Sequence, residues 1–250
     1  MILRPPRSSV EAASFLVTKM ILDALLTLAY PQSCAICAGS VEQRTFGVAC
    51  EPCWKATRIF TGAETICSKC GALDGVRCGR CEPHAFTAAR AVGLYEGALR
   101  ESVLLLKRQP HLSQHVETLL AAAAKRAPVN ASTRIIPVPL HAGRLKTRGF
   151  NQASIMAQSL SKSLQLPVDE VSLVRVSGSE KYRAGLDAKG RLDTVAGAFE
   201  VRHPRLVESE DIMLIDDVFT TGATVSACAE ALFAAGARTV FVLTLARARR

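Results

Sequence analysis

The chain has 250 residues, of which 49% are hydrophobic and 5% aromatic, and 31 basic against 22 acidic residues give it a net charge of +9. This length and composition fit one ordinary domain plus a smaller one and exclude global disorder. No apolar run is long enough to span a bilayer, and charged residues interrupt the apolar stretch at 15–30, so we expect neither a membrane span nor an export signal. The cytoplasm is therefore the expected compartment.

A tail and an amphipathic helix are predicted for residues 1–33, and a cysteine-rich domain is predicted for 34–84. A C-x-x-C turn directs both thiolates toward one corner of a tetrahedron, so two turns complete a Cys₄ zinc site. The sequence predicts two structural zinc ions held by four such turns: Cys34/Cys37, Cys50/Cys53, Cys67/Cys70 and Cys78/Cys81.

Two other uses of these cysteines are open. A disulfide framework requires an oxidising compartment, which nothing in the sequence indicates, and redox C-x-x-C pairs usually occur singly. The pairing of the turns is also open between a sequential and a crossed arrangement, and the short loops favour the sequential one. Cys228 stands apart on a predicted helix, where a small core residue is the simpler interpretation than a nucleophile.

Residues 85–250 are predicted to form an α/β domain with a doubly wound parallel sheet. Strands and helices alternate along this part of the chain, with predicted strands at 91–95, 134–140, 171–174, 195–201, 212–218 and 239–246. Ligands of such sheets bind beyond the carboxyl ends of the strands.

Two polar segments interrupt the alternation. A basic loop follows the strand at 134–140 and carries Arg144, Lys146 and Arg148, which we expect to neutralise a polyanion. A polar stretch between 175 and 195 has the length of an active-site lid, and its candidate residues are Lys181, Arg183 and Arg191. Solvated surface loops remain the alternative for both.

The most informative segment is 212–224, in which an apolar strand runs into Asp216 and Asp217 and then into a Thr/Gly/Ala loop. A helical pattern follows, so the loop lies where backbone N–H groups converge on an anion. Two adjacent carboxylates would repel a bare phosphate, but they can accept hydrogen bonds from ribose hydroxyls, and a divalent cation would offset their charge. The segment therefore predicts a sugar-phosphate site formed by the two acids and by Thr220, Thr221, Gly222, Ala223 and Thr224.

This segment resembles the fingerprint of the type I phosphoribosyltransferases, which binds phosphoribosyl pyrophosphate with Mg²⁺. The resemblance implies that the pyrophosphate group would lie against Arg144, Lys146 and Arg148. It also implies transfer of ribose to a nitrogen acceptor, although neither a catalytic base nor a base-recognition pocket is identifiable.

The whole layout resembles the ComF (competence protein F, GntX-like) family, which joins a double zinc ribbon to a phosphoribosyltransferase-like domain. The resemblance rests on the four C-x-x-C turns and on the segments 105–107, 136–141, 148–152 and 214–224. Arg183 and Thr194 depart from the family pattern, which leaves lid-borne chemistry undecided.

Membership of that family implies a link to DNA uptake in natural transformation, and three functions are compatible with the sequence. The first is a phosphoribosyltransferase acting on an unidentified acceptor. The second is a module that handles single-stranded DNA, for which only Trp54, Phe60 and Phe86 are candidate base-stacking residues in the cysteine-rich region. The third is an adaptor for other competence proteins.

Overall fold

The computed structural model describes residues 31–73, 75, 78, 79, 81–176 and 197–249. Its centre is a four-stranded parallel sheet in the order β1-β6-β5-β2. The strands are β1 (Ala88–Leu94), β2 (Arg134–Pro137), β5 (Asp211–Phe219) and β6 (Thr239–Arg247). Because all four are parallel, their carboxyl ends lie at one edge of the sheet.

Helices cover both faces of this sheet. One face packs against α2 (Gly97–Leu106), α3 (Gln114–Ala124) and α5 (Gln152–Leu164), and the other packs against α6 (Ala223–Ala234). Two further helices are α1 (Glu51–Ala56) and α4 (Ala142–Arg148), and short 3₁₀ turns occur at Arg44–Phe46, Val129–Ala131 and Pro204–Leu206. The predicted α/β class with helices on both faces is confirmed.

The central strands are buried on both faces, as their unbroken apolar runs predict. Ile212 and Leu214 of β5 belong to the core beneath α6, whereas Met213 and Ile215 belong to the core beneath α2, α3 and α5. Strand β6 likewise divides its residues between the two cores.

The predicted strands at 171–174 and 195–201 do not join the parallel sheet, so this part of the prediction was wrong. They form a separate antiparallel pair of three-residue strands, β3 (Leu173–Arg175) and β4 (Phe199–Val201), which packs beside α6. Leu173 and Phe199 cover the α6 core from outside the sheet.

The cysteine-rich region wraps the edge strand β1. The backbone of 58–60 bonds to β1, through Phe60 N–H to the carbonyl of Val92 at 2.8 Å and Leu94 N–H to the carbonyl of Arg58 at 3.0 Å. Three of its first four cysteines, Cys34, Cys50 and Cys53, adjoin the α2 core, and its last four adjoin the α6 core. The boundaries 34–84 and 85–250 remain a prediction.

Within the described part of the chain, none of the helices combines the length and apolarity needed to cross a membrane.

Candidate functional site

The two adjacent acids lie near the carboxyl end of β5 and project to opposite faces of the sheet. Side chains alternate along a strand, so Asp216 follows Leu214 toward α6, and Asp217 follows Ile215 toward α2. The N–H of Asp217 donates to Asp216 Oδ1 at 2.8 Å, so the carboxylate of Asp216 lies against the backbone of Asp217. Both residues are half-buried.

Lys107, directly after α2, is the cation of this site. Its Nζ lies 3.1 Å from Asp217 Oδ2, and the side chains are 35% and 21% exposed, so both remain open to a ligand. Sequence reasoning placed 105–107 in a family motif but did not include Lys107 in the site. The acid lies 110 positions further along the chain, and only the packing of α2 on β5 brings the pair together.

The environment of Asp216 opposes its ionisation. Burial and the adjacent charge of Asp217 raise the pKa of Asp216 to about 7, although the N–H of Asp217 and the charge of Lys107 act in the other direction. A carboxyl with this pKa is half protonated at neutral pH. A cation or a hydroxyl-rich ligand beyond the end of β5, within reach of both carboxylates, would stabilise their ionised forms.

The loop after β5 leads directly into the first turn of α6. Gly222 caps the helix with φ +84°, and Ala223 N–H donates to Thr221 Oγ1 at 3.3 Å. Thr220 is exposed, while Thr221 and Thr224 are half-buried. The first N–H groups of a helix have no intrahelical partner, so this turn offers donors to an anion, as the sequence predicts.

His84 packs behind this loop, and sequence reasoning did not identify it. A Cβ added at Gly222 would lie 2.8 Å from His84 Nε2 and 2.9 Å from Phe219 Cζ, so only glycine fits there. The N–H of His84 donates to the carbonyl of Cys81 at 3.1 Å, and the N–H of Ala85 donates to Ser226 Oγ on α6 at 3.0 Å. These contacts connect the second cysteine cluster to the loop.

The eight paired cysteines form two compact clusters in the sequential arrangement, so the crossed alternative is excluded. Within each cluster all sulfur atoms lie within 4.8 Å of one another; the clusters are Cys34/Cys37/Cys50/Cys53 and Cys67/Cys70/Cys78/Cys81. Four sulfurs at 2.3 Å from a tetrahedral zinc would be about 3.8 Å apart. Individual pairs here are separated by 3.4 to 3.7 Å. Either cluster could therefore hold a tetrahedral metal ion.

The backbone around each cluster favours thiolate. Burial opposes ionisation of Cys34, but N–H groups of Cys37, Cys50 and Ile36 outweigh it and lower the pKa of its thiol to about 6. In the second cluster, Cys67 has the same balance, with donors at Cys70, Cys78 and Lys69, and its pKa is also about 6. One thiol of each cluster therefore ionises near neutral pH, whereas hydrogen bonding to Cys50 raises the pKa of Cys53, and burial followed by the neighbouring thiols raises the pKa of Cys81.

The predicted basic loop is a helix in the structure. Residues 142–148 form α4, which His141 caps by accepting from Gly143 N–H at 3.2 Å and which ends at Gly149 with φ +82°. Arg144 and Lys146 are exposed and Arg148 is half-buried. Because α4 follows the carboxyl end of β2, it lies at the same edge of the sheet as the acid pair, and its pyrophosphate role remains a prediction.

The remaining predicted residues either lie outside the described part of the chain or are buried in the core. Lys181, Arg183, Arg191 and Thr194 lie outside the described residues, as do residues 1–30. Trp54, Phe60 and Phe86 are all buried and unavailable for base stacking. Cys228 is fully buried in the α6 core, and burial followed by the charge of Asp216 raises the pKa of its thiol, which fits a core residue.

Comparison with curated proteins gives full-length relatives. The chain is 30% identical over 231 residues to the DNA utilization protein YhgH of Shigella flexneri, covering 88% of this chain and 99% of the relative. It is 29% identical over 228 residues to competence protein F of Haemophilus influenzae, covering 86% and 96%. Competence protein ComFC of Bacillus subtilis matches over 114 residues at 31% identity, covering 45% of this chain and 44% of the relative. No protein-family model matches the chain.

Two solved enzyme structures align with part of this chain. Glutamine phosphoribosylpyrophosphate amidotransferase from B. subtilis aligns with a TM-score of 0.36 at 17% identity, over 59% of this chain and 26% of that one. The APRTase of Giardia lamblia in complex with 9-deazaadenine aligns with a TM-score of 0.34 at 21% identity, over 53% and 65%.

Proposed function

Because the chain belongs to the competence protein F family, which includes the DNA utilization proteins, we propose that it binds phosphoribosyl pyrophosphate with Mg²⁺ and acts as a phosphoribosyltransferase linked to DNA uptake. The observation that carries this proposal is the union, at one sheet edge, of the Asp216/Asp217 pair with a glycine-capped helix start. The pair would accept from the ribose hydroxyls, and the helix start would bind the 5′-phosphate.

Lys107 supports the proposal because its ammonium group pairs with the carboxylate of Asp217 while both side chains remain partly exposed. A ligand whose phosphates approach Lys107 while its hydroxyls approach Asp217 would satisfy both members of this ion pair. The exposed cations of α4 stand at the same edge and would bind the pyrophosphate.

The residues present also fit a divalent cation. Burial and then the charge of Asp217 raise the pKa of Asp216, so a cation near the two acids would stabilise its ionised form, which supports this part of the proposal. Oxygen ligands of this kind suit Mg²⁺, which keeps most of its water and is usually shared with substrate phosphates. When bound, Mg²⁺ would supply charge neutralisation of the pyrophosphate.

Calorimetric titration of the protein with phosphoribosyl pyrophosphate and MgCl₂ tests the proposal. We expect binding by the wild type and at least a tenfold loss on the double substitution Asp216→Asn with Asp217→Asn. The control neutralises two exposed acids far from this edge, Glu170→Gln with Glu208→Gln, and should bind as the wild type does. Equal binding by both double variants would refute the carboxylate role.

We further propose that both Cys₄ clusters hold structural zinc. Four thiolates fill the tetrahedron and leave no position for a substrate, so the metal would stabilise the fold, by on the order of 10 kcal/mol per site. Metal analysis of the purified protein should find two zinc ions per chain. One ion or none would contradict the double site.

The second candidate function is non-catalytic handling of single-stranded DNA, or an adaptor role among competence proteins, in the cytoplasm. It is favoured by the printed names of the relatives and by the net charge of +9. If DNA binds the basic surface, affinity for an oligonucleotide should fall steeply with salt and should be insensitive to the Asp216/Asp217 double variant. An affinity that does not change with salt would argue against this function.

A further inference from the structure

A cavity of about 640 Å³ lies between the cysteine-rich region and the carboxyl edge of the sheet. Its walls come from the ends of three strands, through Leu94, Phe219 and Arg247, and from both sides of the cysteine-rich region, through Arg58 and Cys81. Its volume is in the range of small-molecule sites. Local sequence patterns could not predict this cavity, because its walls come from segments that are distant in the chain.

The cavity adjoins the sugar-phosphate loop but does not include the acid pair. Phe219 is the last residue of β5 and lies three positions before the helix cap. His84 lines the cavity and also contacts the loop at Gly222. A ligand in the cavity would therefore lie next to a sugar phosphate held by the loop, on the side of β6 and β1.

The walls combine apolar side chains, among them Leu94 and Phe219, with positive charge. The guanidinium of Arg247 stacks over the ring of Phe219, 5.1 Å from its centroid, and donates to the carbonyl of Cys70 at 2.5 Å. Among the exposed lining cations, Arg249 pairs with Glu96 at 3.2 Å and Lys55 pairs with Glu51 at 2.7 Å.

Arg58 differs from the other exposed cations of the cavity. Its side chain is exposed and forms no ion pair with a described residue, while its backbone carbonyl is bonded to β1. An uncommitted guanidinium at the mouth of a cavity is suited to a carboxylate or phosphate, which it can bind through two parallel hydrogen bonds.

We propose that this cavity binds the acceptor of the transfer, and that the acceptor is a planar ring compound with a negatively charged substituent. Its ring would lie on the Phe219–Leu94 wall and its anion on Arg58. The assignment as acceptor rests on the proposed function. In that transfer a ring nitrogen bonds to C1 of the ribose, the C1–O bond breaks with its electron pair leaving on pyrophosphate, and the N–H proton passes to water.

Orotate and uracil are matched probes, because they share a pyrimidine ring and differ by one carboxylate. We expect equilibrium binding, followed by ligand-observed NMR, to show orotate binding at least tenfold more tightly than uracil. Arg58→Ala should weaken the binding of orotate about tenfold, as expected for loss of a charge-assisted hydrogen bond. Arg205→Ala, which removes an exposed arginine near the opposite edge, should change nothing. Glu96→Gln should tighten the binding of orotate, because it removes the ion pair of Arg249 and leaves that guanidinium available to the ligand.

The outcomes separate this inference from the proposed function. Phosphoribosyl pyrophosphate should bind Arg58→Ala as it binds the wild type, and orotate should bind Asp217→Asn as it binds the wild type. Orotate binding that depends on Arg58 supports the cavity site even if phosphoribosyl pyrophosphate does not bind. Equal affinity for orotate and uracil, or equal effects of Arg58→Ala and Arg205→Ala, would overturn the proposal. Displacement of orotate by a short dT oligonucleotide in an Arg58-dependent manner would also overturn it, since the occupant would then be nucleic acid.

Discussion

Replacing Asp216 by asparagine should stabilise the protein, and the gain should grow with pH. The pKa of this carboxyl is about 7 in the folded protein, because of burial and then the charge of Asp217, against 3.8 for a free aspartate. A carboxyl whose pKa is higher in the folded than in the unfolded protein stabilises the fold fully below pH 3.8. This stabilisation is lost progressively as the pH rises from 3.8 through 7. Asparagine keeps the shape of the protonated acid and does not ionise.

The size of the effect follows from the shift. At about 1.4 kcal/mol per pKa unit, a rise from 3.8 to about 7 sets an upper limit of about 4 kcal/mol. Because Asp216 is only half-buried, solvent screening reduces the expected difference to about 2 kcal/mol. We expect the stability advantage of Asp216→Asn over the wild type to be just under about 1 kcal/mol at pH 5, because the loss begins at pH 3.8, and to reach about 2 kcal/mol at pH 8.

The assay is urea unfolding of the zinc-loaded protein at pH 5, 6, 7 and 8, without Mg²⁺ or sugar phosphate. Asp211→Asn is the control, because hydrogen bonding to Arg238 lowers the pKa of that carboxyl, so its loss should destabilise the protein by a constant amount across this range. The reasoning would be refuted if the difference between Asp216→Asn and the wild type did not change with pH, or if it favoured the wild type at pH 8.

The remaining predictions concern the lysine, the loop and the clusters. Lys107→Met should raise the pKa of Asp216 further, so the pH at which sugar-phosphate binding is half lost should move upward in calorimetry. Gly222→Ala should lower stability by about 2 to 3 kcal/mol in thermal unfolding, because the added Cβ meets His84. Gly149→Ala, with a similar φ and open space, should cost only about 1 kcal/mol; equal losses would refute the steric argument. Cys81→Ser should reduce the zinc content to one ion per chain, and a content of two would contradict the assignment of the second cluster.

Much of the fold was predictable because it depends on local patterns. The apolar run of β5, the helix spacing of α6 and the glycine after it all lie where the sequence indicates. The pairing of the cysteines was predictable from loop length alone, since closing a short loop costs less entropy than closing a long one.

The parts that sequence reasoning missed have physical causes. Strands β3 and β4 have three residues each, too few for alternation to distinguish a hairpin from sheet strands. Helix α4 buries none of its residues, so it has no apolar stripe to reveal it, and its caps at His141 and Gly149 were the only signal. Lys107 and His84 belong to the site only through tertiary packing.

The position of the second cluster shows why a structural metal would affect ligand binding. The backbone of 84–85 is hydrogen-bonded to Cys81 and Ser226, and the side chain of His84 packs against Gly222. Arg247 donates to the carbonyl of Cys70 and stacks over the ring of Phe219. Loss of metal here would release both the support of the loop and one wall of the cavity. The first cluster adjoins the α2 core on the other face, where Lys107 follows the helix. Removal of the second metal should therefore weaken phosphate binding before it weakens the Lys107–Asp217 contact.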